Sequence, residues 1–476
     1  MKAKSLFTGV RIMCESDLDS LEIKDICLNS GDVRPGCLFV AMKGRKSDGR
    51  AFAAAAEAEG ACAVLTDKKI DGITVPQIIT SDVRGAYAEI CGNFFSNPAR
   101  KLKTVGVTGT NGKSTVAYLV HELACACGIR CGLIGTMYVH DGERRTPATL
   151  TTPDPYELSS ILASFVKSGC VAAAMEVSAH AIYWRKTENI LFDLGVFTNL
   201  TQDHLDFFGD MRSYAEVKKS FFTPEHVKKA VINSDDECGV ELINRASVPA
   251  ITYGLYNPAD VFAVNISQGE ECSYVVNDRD CLMEINSRLL GAFNVSNTLA
   301  AIACVRELGA SCEQIAAAVR NIAPPEGRFN VYRRGDKTYI IDFAHTPDGL
   351  RNVLTQARKL CRGNMILVFG CGGDRDRTKR PLMGRIAGEL ADKIIITEDN
   401  PRTERREDIA AQILQGTEKE ASVINDRRQA IGYACKIARS GDVVVIAGKG
   451  SEDYIESFGV RTPYSDREQL LKVIGQ

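Results

Sequence analysis

The sequence predicts an α/β fold of three domains, and three observations support this prediction. The chain has 476 residues, about three times the usual ~150 of one domain. Short apolar runs rich in β-branched residues alternate with helix-length amphipathic stretches, which is the pattern of βαβ units and parallel sheets. Proline-containing breaks at Asn97-Pro98 and Pro324-Pro325 interrupt that pattern. We therefore predict a small N-terminal α/β domain at 1–100, a central domain at 101–330 and a C-terminal domain at 331–476.

The central domain opens with a strand-like run, TVGVT, followed by a turn that contains glycine and by a helix that ends near Gly128. The runs VAAAMEV and DLGVFTN are apolar almost throughout, which predicts buried strands of the same parallel sheet. In the C-terminal domain, TYIIDF, MILVFG, KIIIT and DVVVIAG alternate with amphipathic stretches of helix length. This alternation predicts a Rossmann-like, doubly wound sheet.

Composition and charge exclude several classes of protein. Lysine and arginine total 58 against 60 aspartate and glutamate, so no net basic field favours nucleic acid or an anionic membrane. The 17 cysteines are spread along a long chain, mostly in apolar stretches, which favours a reducing compartment. No signal peptide and no apolar run long enough for a membrane span is recognisable. We therefore expect a cytoplasmic protein.

The segment TVGVTGTNGKSTVAYLV places a strand, a glycine-containing turn, Gly-Lys-Ser-Thr and a helix in succession. Backbone N–H groups at the helix start and the Lys113 ammonium would face the same anion, and the Ser114 hydroxyl could bind Mg²⁺. The usual G-x-x-x-x-G-K-[ST] pattern is incomplete, because Val107 stands five residues before Gly112. The alternative is a chance GKS in a surface turn. The flanking strand and helix favour a triphosphate-binding loop, Gly109 to Thr115.

Two further predicted strands end in polar clusters, at the edge of the sheet where ligands bind in parallel α/β folds. Glu176 and His204 are suited to hold Mg²⁺ near the triphosphate. The alternative is that these clusters only cap local structure, with Asp203 starting a helix and His180 bonded in a turn. Lys218 lies on an amphipathic helix, where spacing alone indicates a solvated charge. The residues predicted to support the metal ligands are Asn199, Asp203 and Asp206.

Seven segments, in order, resemble the successive motifs of the Mur ligase family: TGTNGKST, LTTPDP, MEVSAH, TNLTQDHLD, GAFNVSN, GRFN and DFAHTPD. Members of this family join an amino acid to a peptidoglycan precursor by ATP-driven amide formation. The segment CLNSGDVRPGCLFVAMKGRKSDGRAF resembles the uridine-diphosphate-binding domain of members that extend UDP-N-acetylmuramoyl-L-alanyl-D-glutamate. DNPRTE resembles the signature of members that add meso-diaminopimelate. The resemblance implies a monomeric ligase that uses ATP, two Mg²⁺ ions and these two small-molecule substrates.

The resemblance also implies roles for individual residues. The implied catalytic residues are Lys113, Glu176, His204 and Lys218, the last carboxylated by CO₂ to a carbamate. The implied metal ligands are Ser114, Glu176, His204 and Lys218. The implied ATP contacts are Gly109, Thr110, Asn111, Gly112, Lys113, Ser114, Thr115, Asn294, Arg328, Asp342 and His345. The implied precursor contacts are Ser30, Thr151, Thr152, Ser178 and Lys186. The implied diaminopimelate contacts are Arg375, Asp399, Asn400, Pro401, Arg402, Gly448 and Glu452.

Three residues depart from the family pattern. Lys186 stands where relatives carry arginine, Trp184 replaces a glutamine of some relatives, and Ser451 replaces a histidine of many. Two related activities stay open at this point, a folate polyglutamate ligase and a lysine-adding ligase, although the first hundred residues and Arg402 argue against both. A P-loop switch that ligates nothing is the alternative from a different class.

Two other patterns are weaker. FGCGGDRD and VIAGKGSE are glycine-rich turns after strands, but neither shows G-x-G-x-x-G with a following acidic residue, so we expect no nicotinamide cofactor. Cys125, Cys127 and Cys131 are expected to lie on one helix and to pack apolar neighbours, because no second pair of metal ligands accompanies them.

Overall fold

The N-terminal unit is a five-stranded sheet with helices packed on it. The computed structural model describes residues 1–14, 16–44 and 47–475. The strands lie in the order β1-β5-β4-β3-β2, all parallel except the β1–β5 pair. Their bounds are β1 (Met13–Cys14), β2 (Asp25–Cys27), β3 (Cys37–Val40), β4 (Ala63–Thr66) and β5 (Gln77–Ile79). The helices are α1 (Ala3–Leu6), α2 (Ala53–Ala58) and α3 (Val83–Phe94).

The central unit is an eleven-stranded sheet, in the order β16-β15-β14-β13-β12-β11-β6-β10-β7-β8-β9. Its strands are β6 (Lys103–Thr108), β7 (Cys131–Ile134), β8 (Tyr138–His140), β9 (Arg145–Pro147), β10 (Ala172–Glu176), β11 (Phe192–Phe197), β12 (Val227–Asn233), β13 (Ala250–Gly254), β14 (Val261–Gln268), β15 (Cys272–Asp278) and β16 (Cys281–Ser287). Its helices are α4 (Lys113–Ala126), α5 (Pro155–Lys167), α6 (Ala179–Tyr183), α7 (Leu205–Phe208), α8 (Met211–Lys219), α9 (Glu237–Asn244), α10 (Ala292–Glu307) and α11 (Cys312–Val319).

This sheet is mixed, whereas the sequence predicted a parallel one. Seven neighbouring strands are parallel, in the order β7-β10-β6-β11-β12-β13-β14. At one edge β14, β15 and β16 form an antiparallel meander, and at the opposite edge β7, β8 and β9 form another. Along β15 and β16, buried residues alternate with more exposed ones. An antiparallel edge can leave one face in water, whereas the inner strands are covered on both faces and read as apolar runs.

The C-terminal unit is a six-stranded sheet in the order β17-β18-β22-β19-β20-β21, parallel apart from the β17–β18 pair. A separate hairpin, β23–β24, follows it. The strands are β17 (Asn330–Arg334), β18 (Lys337–Asp342), β19 (Met365–Phe369), β20 (Lys393–Ile396), β21 (Ala421–Val423), β22 (Val443–Ala447), β23 (Tyr454–Ser457) and β24 (Val460–Pro463). The helices are α12 (Pro347–Lys359), α13 (Lys379–Leu390), α14 (Arg406–Leu414), α15 (Arg427–Ile437) and α16 (Asp466–Ile474).

The cysteines are mostly free thiols. Cys281 and Cys312 form a disulfide between β16 and α11, and the other fifteen are unpaired. The expected reducing environment fits the free thiols and not this pair. Cys131 heads β7 rather than sharing a helix with Cys125 and Cys127, so that prediction was wrong. Within the described ranges, no helix combines the length and hydrophobicity of a membrane span.

Candidate active site

The loop between β6 and α4 follows the carboxyl end of a central strand and requires glycine at two positions. Gly112 has φ +87°, which L-residues rarely adopt. A Cβ atom on Gly109 would lie 1.9 Å from Thr198 Oγ1, so the backbone there approaches β11 too closely for any side chain. No side chain caps the start of α4. The unbonded N–H groups of this first turn therefore remain available to an anion.

Two lysines converge on this loop. Lys113 Nζ donates to the carbonyls of Gly109 at 3.1 Å and Thr110 at 2.8 Å, and Lys218 Nζ donates to the Gly109 carbonyl at 2.6 Å. Asn199, which follows β11, contacts the loop: its Oδ1 accepts from the Asn111 N–H at 2.8 Å. The loop thus combines free backbone donors with the Lys113 side chain, which suits a polyphosphate.

Lys218 is 1% exposed, so the solvated position inferred from its helical spacing was wrong. Burial and the nearby Lys113 charge hold the pKa of Lys218 well below its usual range. Its Nζ also lies 4.7 Å from the Tyr214 ring centre. The amphipathic face of α8 that carries Lys218 points toward the phosphate loop rather than toward water. The neutral amine is consequently favoured at this position.

Ser114 and Glu176 form the oxygen-rich part of the site. Ser114 Oγ donates to Glu176 Oε2 at 2.8 Å, and the Thr136 N–H donates to Glu176 Oε1 at 2.6 Å. Arg328 Nη2 donates to Ser114 Oγ at 3.0 Å, although the two residues are 214 positions apart in the chain. Hydroxyl and carboxylate oxygens are the ligands that Mg²⁺ prefers, so this pair fits the predicted metal. Thr136 has no motif and was missed by the sequence analysis.

His204 lies at the start of α7 with φ +58°, and its ring packs edge-to-face against His180 with centres 4.8 Å apart. Burial lowers the pKa of His204 to about 3, against the opposing charge of Asp203. The imidazole is therefore neutral and keeps a lone pair for a metal or a phosphoryl oxygen. His180 lies within α6 rather than in a turn, and Asp203 precedes α7 without starting it. Asp206 is exposed.

Asp203 connects two domains at this point. It is 6% exposed, and its carboxylate lies 3.4 Å from His204 Nε2, 3.7 Å from His345 Nε2 and 3.6 Å from Lys379 Nζ. Burial opposes ionisation, but these neighbours hold the pKa of Asp203 well below its usual range. The carboxylate is therefore ionised, and it joins the central domain to two residues of the C-terminal domain.

The predicted precursor contacts of the central domain gather beside Glu176. Thr152 Oγ1 donates to the Glu176 carbonyl at 2.9 Å and accepts from the Ser178 N–H at 3.1 Å. Thr151 Oγ1 lies 3.1 Å from Thr136 Oγ1, and Lys186 Nζ donates to the Thr152 carbonyl at 3.3 Å. These residues therefore lie next to Glu176. Ser30 is separate from them, half-buried in a short helix of the N-terminal domain.

The N-terminal domain contacts this region through charged and aromatic residues. The Arg84 guanidinium lies 4.3 Å from the centre of the Trp184 ring. Arg185, which follows Trp184, pairs with Asp82 at 2.7 Å. Trp184, noted as a departure from the family pattern, therefore takes part in a cation–π contact between domains.

The predicted nucleotide contacts that follow the loop in the chain are Asn294, Arg328, Asp342 and His345, and Arg328 reaches Ser114 of the loop. Arg328 stacks on Phe343 at 4.2 Å, and its Nε is buried without a hydrogen-bond partner within the described ranges. An unsatisfied guanidinium donor beside the phosphate loop fits an anionic ligand. Burial raises the pKa of Asp342 to about 6, while its carboxylate accepts from the N–H groups of Phe329 and Ala344, each at 2.7 Å. Asn294 is buried in α10, where its Nδ2 donates to the Leu290 carbonyl.

A second polar group lies at the carboxyl ends of β20 and β22. Asn400 Nδ2 donates to Glu452 Oε2 at 2.8 Å, and Lys449 Nζ donates to Asn400 Oδ1 and to Glu452 Oε2, each at 3.0 Å. Arg402 has φ +50°, and its Nη1 donates to the Gly373 carbonyl at 2.7 Å. Lys449 is fully buried at the centre of this network and was missed; its place in GKGSE was the only signal.

The remaining residues of the predicted amino-acid site surround this network. A Cβ built on Gly372 would lie 2.9 Å from Arg402 Nη1 and 3.7 Å from Arg375 Cγ, so both arginines border the same stretch of backbone. Asp399 lies 3.8 Å from Lys449 Nζ. A Cβ on Gly448 would lie 2.7 Å from Asp399 Oδ2, and one on Gly373 would lie 1.9 Å from the Pro401 carbonyl oxygen. All seven predicted residues therefore lie in adjoining turns.

The C-terminal domain rests against the phosphate loop. Asn111 Nδ2 donates to Asp348 Oδ2 at 2.9 Å, and Thr346 Oγ1 donates to Asn111 Oδ1 at 3.3 Å. Gln202 Nε2 donates to Asp376 Oδ2 at 3.1 Å. The two predicted sites therefore face each other across a domain boundary that direct hydrogen bonds hold closed.

Comparisons with known proteins decide the family. Three family models match: the Mur ligase family catalytic domain at 22–95, the Mur ligase middle domain at 107–305 and the Mur ligase glutamate ligase domain at 327–450. A Caldanaerobacter subterraneus protein named UDP-N-acetylmuramoyl-L-alanyl-D-glutamate--2,6-diaminopimelate ligase is 38% identical over 100% of this chain and 99% of its own. The chain belongs to the Mur ligase family.

Further relatives agree with this assignment. A Gloeobacter violaceus protein of the same name is 41% identical, over 97% of this Mur ligase and 95% of the relative. A solved structure of a ligase with that name superposes with a TM-score of 0.72 at 31% identity, covering 100% of this chain and 99% of the other. The predicted three-domain α/β fold class is thereby confirmed.

Proposed function

We propose that this Mur ligase adds meso-diaminopimelate to UDP-N-acetylmuramoyl-L-alanyl-D-glutamate, with ATP as the energy source and ADP and phosphate as products. One observation carries the proposal. Arg402, Asn400 and Glu452 lie together in the domain that is hydrogen-bonded to the phosphate loop at Asn111. Relatives 38% and 41% identical over nearly the whole chain carry the name of a diaminopimelate ligase, which supports the same substrate.

The first step joins a phosphoryl group to the precursor. The γ-phosphoryl group of ATP passes to the D-glutamyl carboxylate, which forms an acyl phosphate, and the incoming amine then displaces phosphate to form the amide. Lys113 and the first turn of α4 hold the triphosphate, and His204 and Arg328 face the charge that develops on the transferred group. The hydrogen bonds that close the C-terminal domain onto Asn111 exclude water, which would otherwise hydrolyse the acyl phosphate.

Two Mg²⁺ ions are part of the proposal. Ser114 and Glu176 would hold one, and His204 and a carboxylated Lys218 would hold the other. Bound Mg²⁺ would neutralise charge on the phosphates. A bare ammonium on Lys218 would repel a cation, whereas a carbamate offers two anionic oxygens. The buried position of Lys218 favours the neutral amine that reacts with CO₂.

The two organic substrates are assigned to opposite sides of the phosphate loop. Thr151, Thr152, Ser178 and Lys186 would hold the precursor beside Glu176, with Ser30 at its uridine end. Arg402 would pair with the distal carboxylate of diaminopimelate, and Glu452 with the adjacent ammonium. L-Lysine lacks that carboxylate and would leave Arg402 unpaired, which costs on the order of 1–3 kcal/mol.

The domain boundaries near 100 and 330, the monomeric state and the cytoplasmic location are also proposals that follow from the sequence. The three main sheets, at 13–79, 103–287 and 330–447, support the division of the chain.

The test is a phosphate-release assay with the UDP-dipeptide, ATP and either meso-diaminopimelate or L-lysine. We expect turnover with diaminopimelate and roughly 5–140-fold less with lysine, since about 1.4 kcal/mol corresponds to a factor of ten. Arg402→Ala should lose most of the diaminopimelate activity. Arg405→Ala is the matched control, because Arg405 is three residues away and its side chain is 72% exposed.

Equal use of both amino acids by the unmodified enzyme would contradict the substrate assignment. Phosphate release that needs neither the precursor nor an amino acid would instead favour a nucleotide-dependent switch. A loss of activity in Arg405→Ala as large as that in Arg402→Ala would show that the effect is not specific to the pocket.

A further inference from the structure

A compact group of potential metal ligands lies in the N-terminal domain, outside the site described above. Asp25 and Cys27 are on β2 and Cys37 is on the neighbouring strand β3. One carboxylate oxygen and the two sulfur atoms all lie within 4.8 Å of one another. In the part of the chain that the structure describes, no other three Asp, Glu, His or Cys side chains come this close together.

Apolar packing does not account for this arrangement. Cys27 Sγ donates to Cys37 Sγ at 2.9 Å, so the two thiols are hydrogen-bonded to each other and not only packed together. Cys27 is 7% exposed and Cys37 is 1% exposed, and the Asp25 carboxylate lies beside them. A cysteine that serves only as a small apolar side chain gains nothing from a carboxylate neighbour. Both cysteines belong to a buried apolar cluster, and the hydrogen-bonded thiols with the adjacent carboxylate form a potential ligand set at its edge.

The carboxylate is held in place with one oxygen unused. Tyr156 Oη, from α5 of the central domain, donates to Asp25 Oδ1 at 2.6 Å, and the Ile26 N–H donates to the same atom at 2.9 Å. Both hydrogen bonds to this carboxylate in the described ranges end on Oδ1, which leaves Oδ2 for a ligand. Hydrogen bonds that hold one carboxylate oxygen in this way orient the other oxygen toward a metal.

We propose that Asp25, Cys27 and Cys37 bind one Zn²⁺ ion, through a carboxylate oxygen and two thiolates, with water as the fourth ligand. Zn²⁺ accepts mixed sulfur and oxygen ligands in tetrahedral geometry, whereas Mg²⁺ prefers oxygen alone. The site is thus chemically distinct from the Ser114–Glu176 pair. Binding releases the two thiol protons and involves no oxidation.

The position of the site suggests its consequence. β2 leads directly to Ser30, the predicted uridine contact, and Asp25 is bonded to Tyr156 of the central domain. A metal ion there would tie β2 and β3 together at the contact between the two domains that would enclose the precursor. The ion would act as a structural clamp on the precursor side and not as a participant in catalysis.

The test uses the full-length protein, stripped of metal by a chelator and kept reduced, with Co²⁺ as a spectroscopic probe. Co²⁺ in a thiolate site gives an intense sulfur-to-metal charge-transfer band. We expect one equivalent of Co²⁺ to produce this band and Zn²⁺ to abolish it. Because a thiol must lose its proton to bind a metal, Co²⁺ affinity should rise with pH.

Three variants and one control locate the site. Cys27→Ala and Cys37→Ala should each weaken Co²⁺ binding at least tenfold and reduce the charge-transfer band, and Asp25→Asn should weaken binding while keeping the band. Cys62→Ala is the control, because Cys62 is bonded through its backbone to Cys37 but is not in the ligand group. Thermal melting of each apo variant checks that it folds.

The proposal is wrong if the unmodified protein shows no thiolate band with Co²⁺. It is also wrong if the band persists unchanged in Cys27→Ala and if Asp25→Asn binds Co²⁺ with unchanged affinity. Loss of the band in Cys62→Ala alone would assign the thiolate to another site and would equally overturn it.

Discussion

At the scale of single residues, Lys218 is placed where a positive charge is disfavoured. It is 1% exposed, and the neighbouring Lys113 adds a like charge that further lowers its pKa. A neutral amine can add to CO₂ and release one proton, which converts the position from neutral to anionic. That change reverses its effect on a nearby cation, so one buried side chain would decide whether the second Mg²⁺ can bind.

We predict that Lys218→Met reduces kcat by about a hundredfold, the upper end of the range for loss of a group that supports a metal. Lys219→Met is the control, since Lys219 is the next residue and pairs with Glu216 and Glu241 on the protein surface. With ¹³CO₂, NMR should detect a carbamate in the unmodified protein and in Lys219→Met. Retention of full turnover by Lys218→Met, or a carbamate signal that survives in it, would contradict the assignment.

At the scale of elements, the segment before β17 is packed against the GKGSE loop that follows β22. Gly327 has φ +71°, and a Cβ there would lie 2.1 Å from the Ser451 nitrogen and 2.4 Å from the Gly450 carbonyl carbon. Backbone atoms cannot move aside as a flexible side chain can. The connection between the central and C-terminal domains therefore fits closely against the loop that carries Lys449 and Glu452. Ser451, where many relatives have histidine, lies at this contact.

We predict that Gly327→Ala lowers kcat more than tenfold, because the loop that bears Glu452 must shift to make room. Gly335→Ala is the matched control: Gly335 also has positive φ, +55°, but a Cβ there meets nothing within 4 Å. Both variants bear the backbone strain of about 1 kcal/mol, and only the first creates a clash. Steady-state phosphate release measures the difference. Equal losses in the two variants would attribute the effect to backbone strain alone.

At the scale of the whole molecule, the closed arrangement depends on a few contacts between domains. Asp203 of the central domain faces His345 and Lys379 of the C-terminal domain, and Asn111 is bonded to Asp348. On the other side, the N-terminal domain is joined through Arg84–Trp184 and Asp25–Tyr156. These contacts hold the phosphate loop between the two domains that would deliver the substrates.

We predict that Asp203→Asn lowers kcat about 10–100-fold while the Kd for the UDP-dipeptide changes little. The substitution keeps the size of the side chain but removes the charge that attracts His345 and Lys379. Asp206→Asn, three residues away and exposed, should leave kcat within about twofold. Phosphate release and calorimetric binding separate the two quantities. An equal loss of precursor affinity in Asp203→Asn would indicate a general structural role instead.

Much of the site was predictable because its residues follow strands whose pattern is local. Gly109 to Ser114 come directly after β6, and Glu176 ends β10, so the carboxyl ends of parallel strands bring them to one edge. Thr136, Thr198 and Lys449 could not be predicted in the same way. Their roles depend on hydrogen bonds to residues distant in the chain, as with Lys449 and Asn400, 49 positions apart.

The sequence by itself determined the α/β class, the phosphate loop and the family, since apolar periodicity, glycine-containing turns and ordered motifs are properties of short segments. Only the tertiary structure decided which face of α8 is buried, that the edges of the central sheet are antiparallel, and that Arg328 reaches Ser114. Helical periodicity defines two faces but does not say which one meets a neighbour, and Lys218 was misplaced for that reason. Burial and long-range contact arise from packing between elements, which no local pattern encodes.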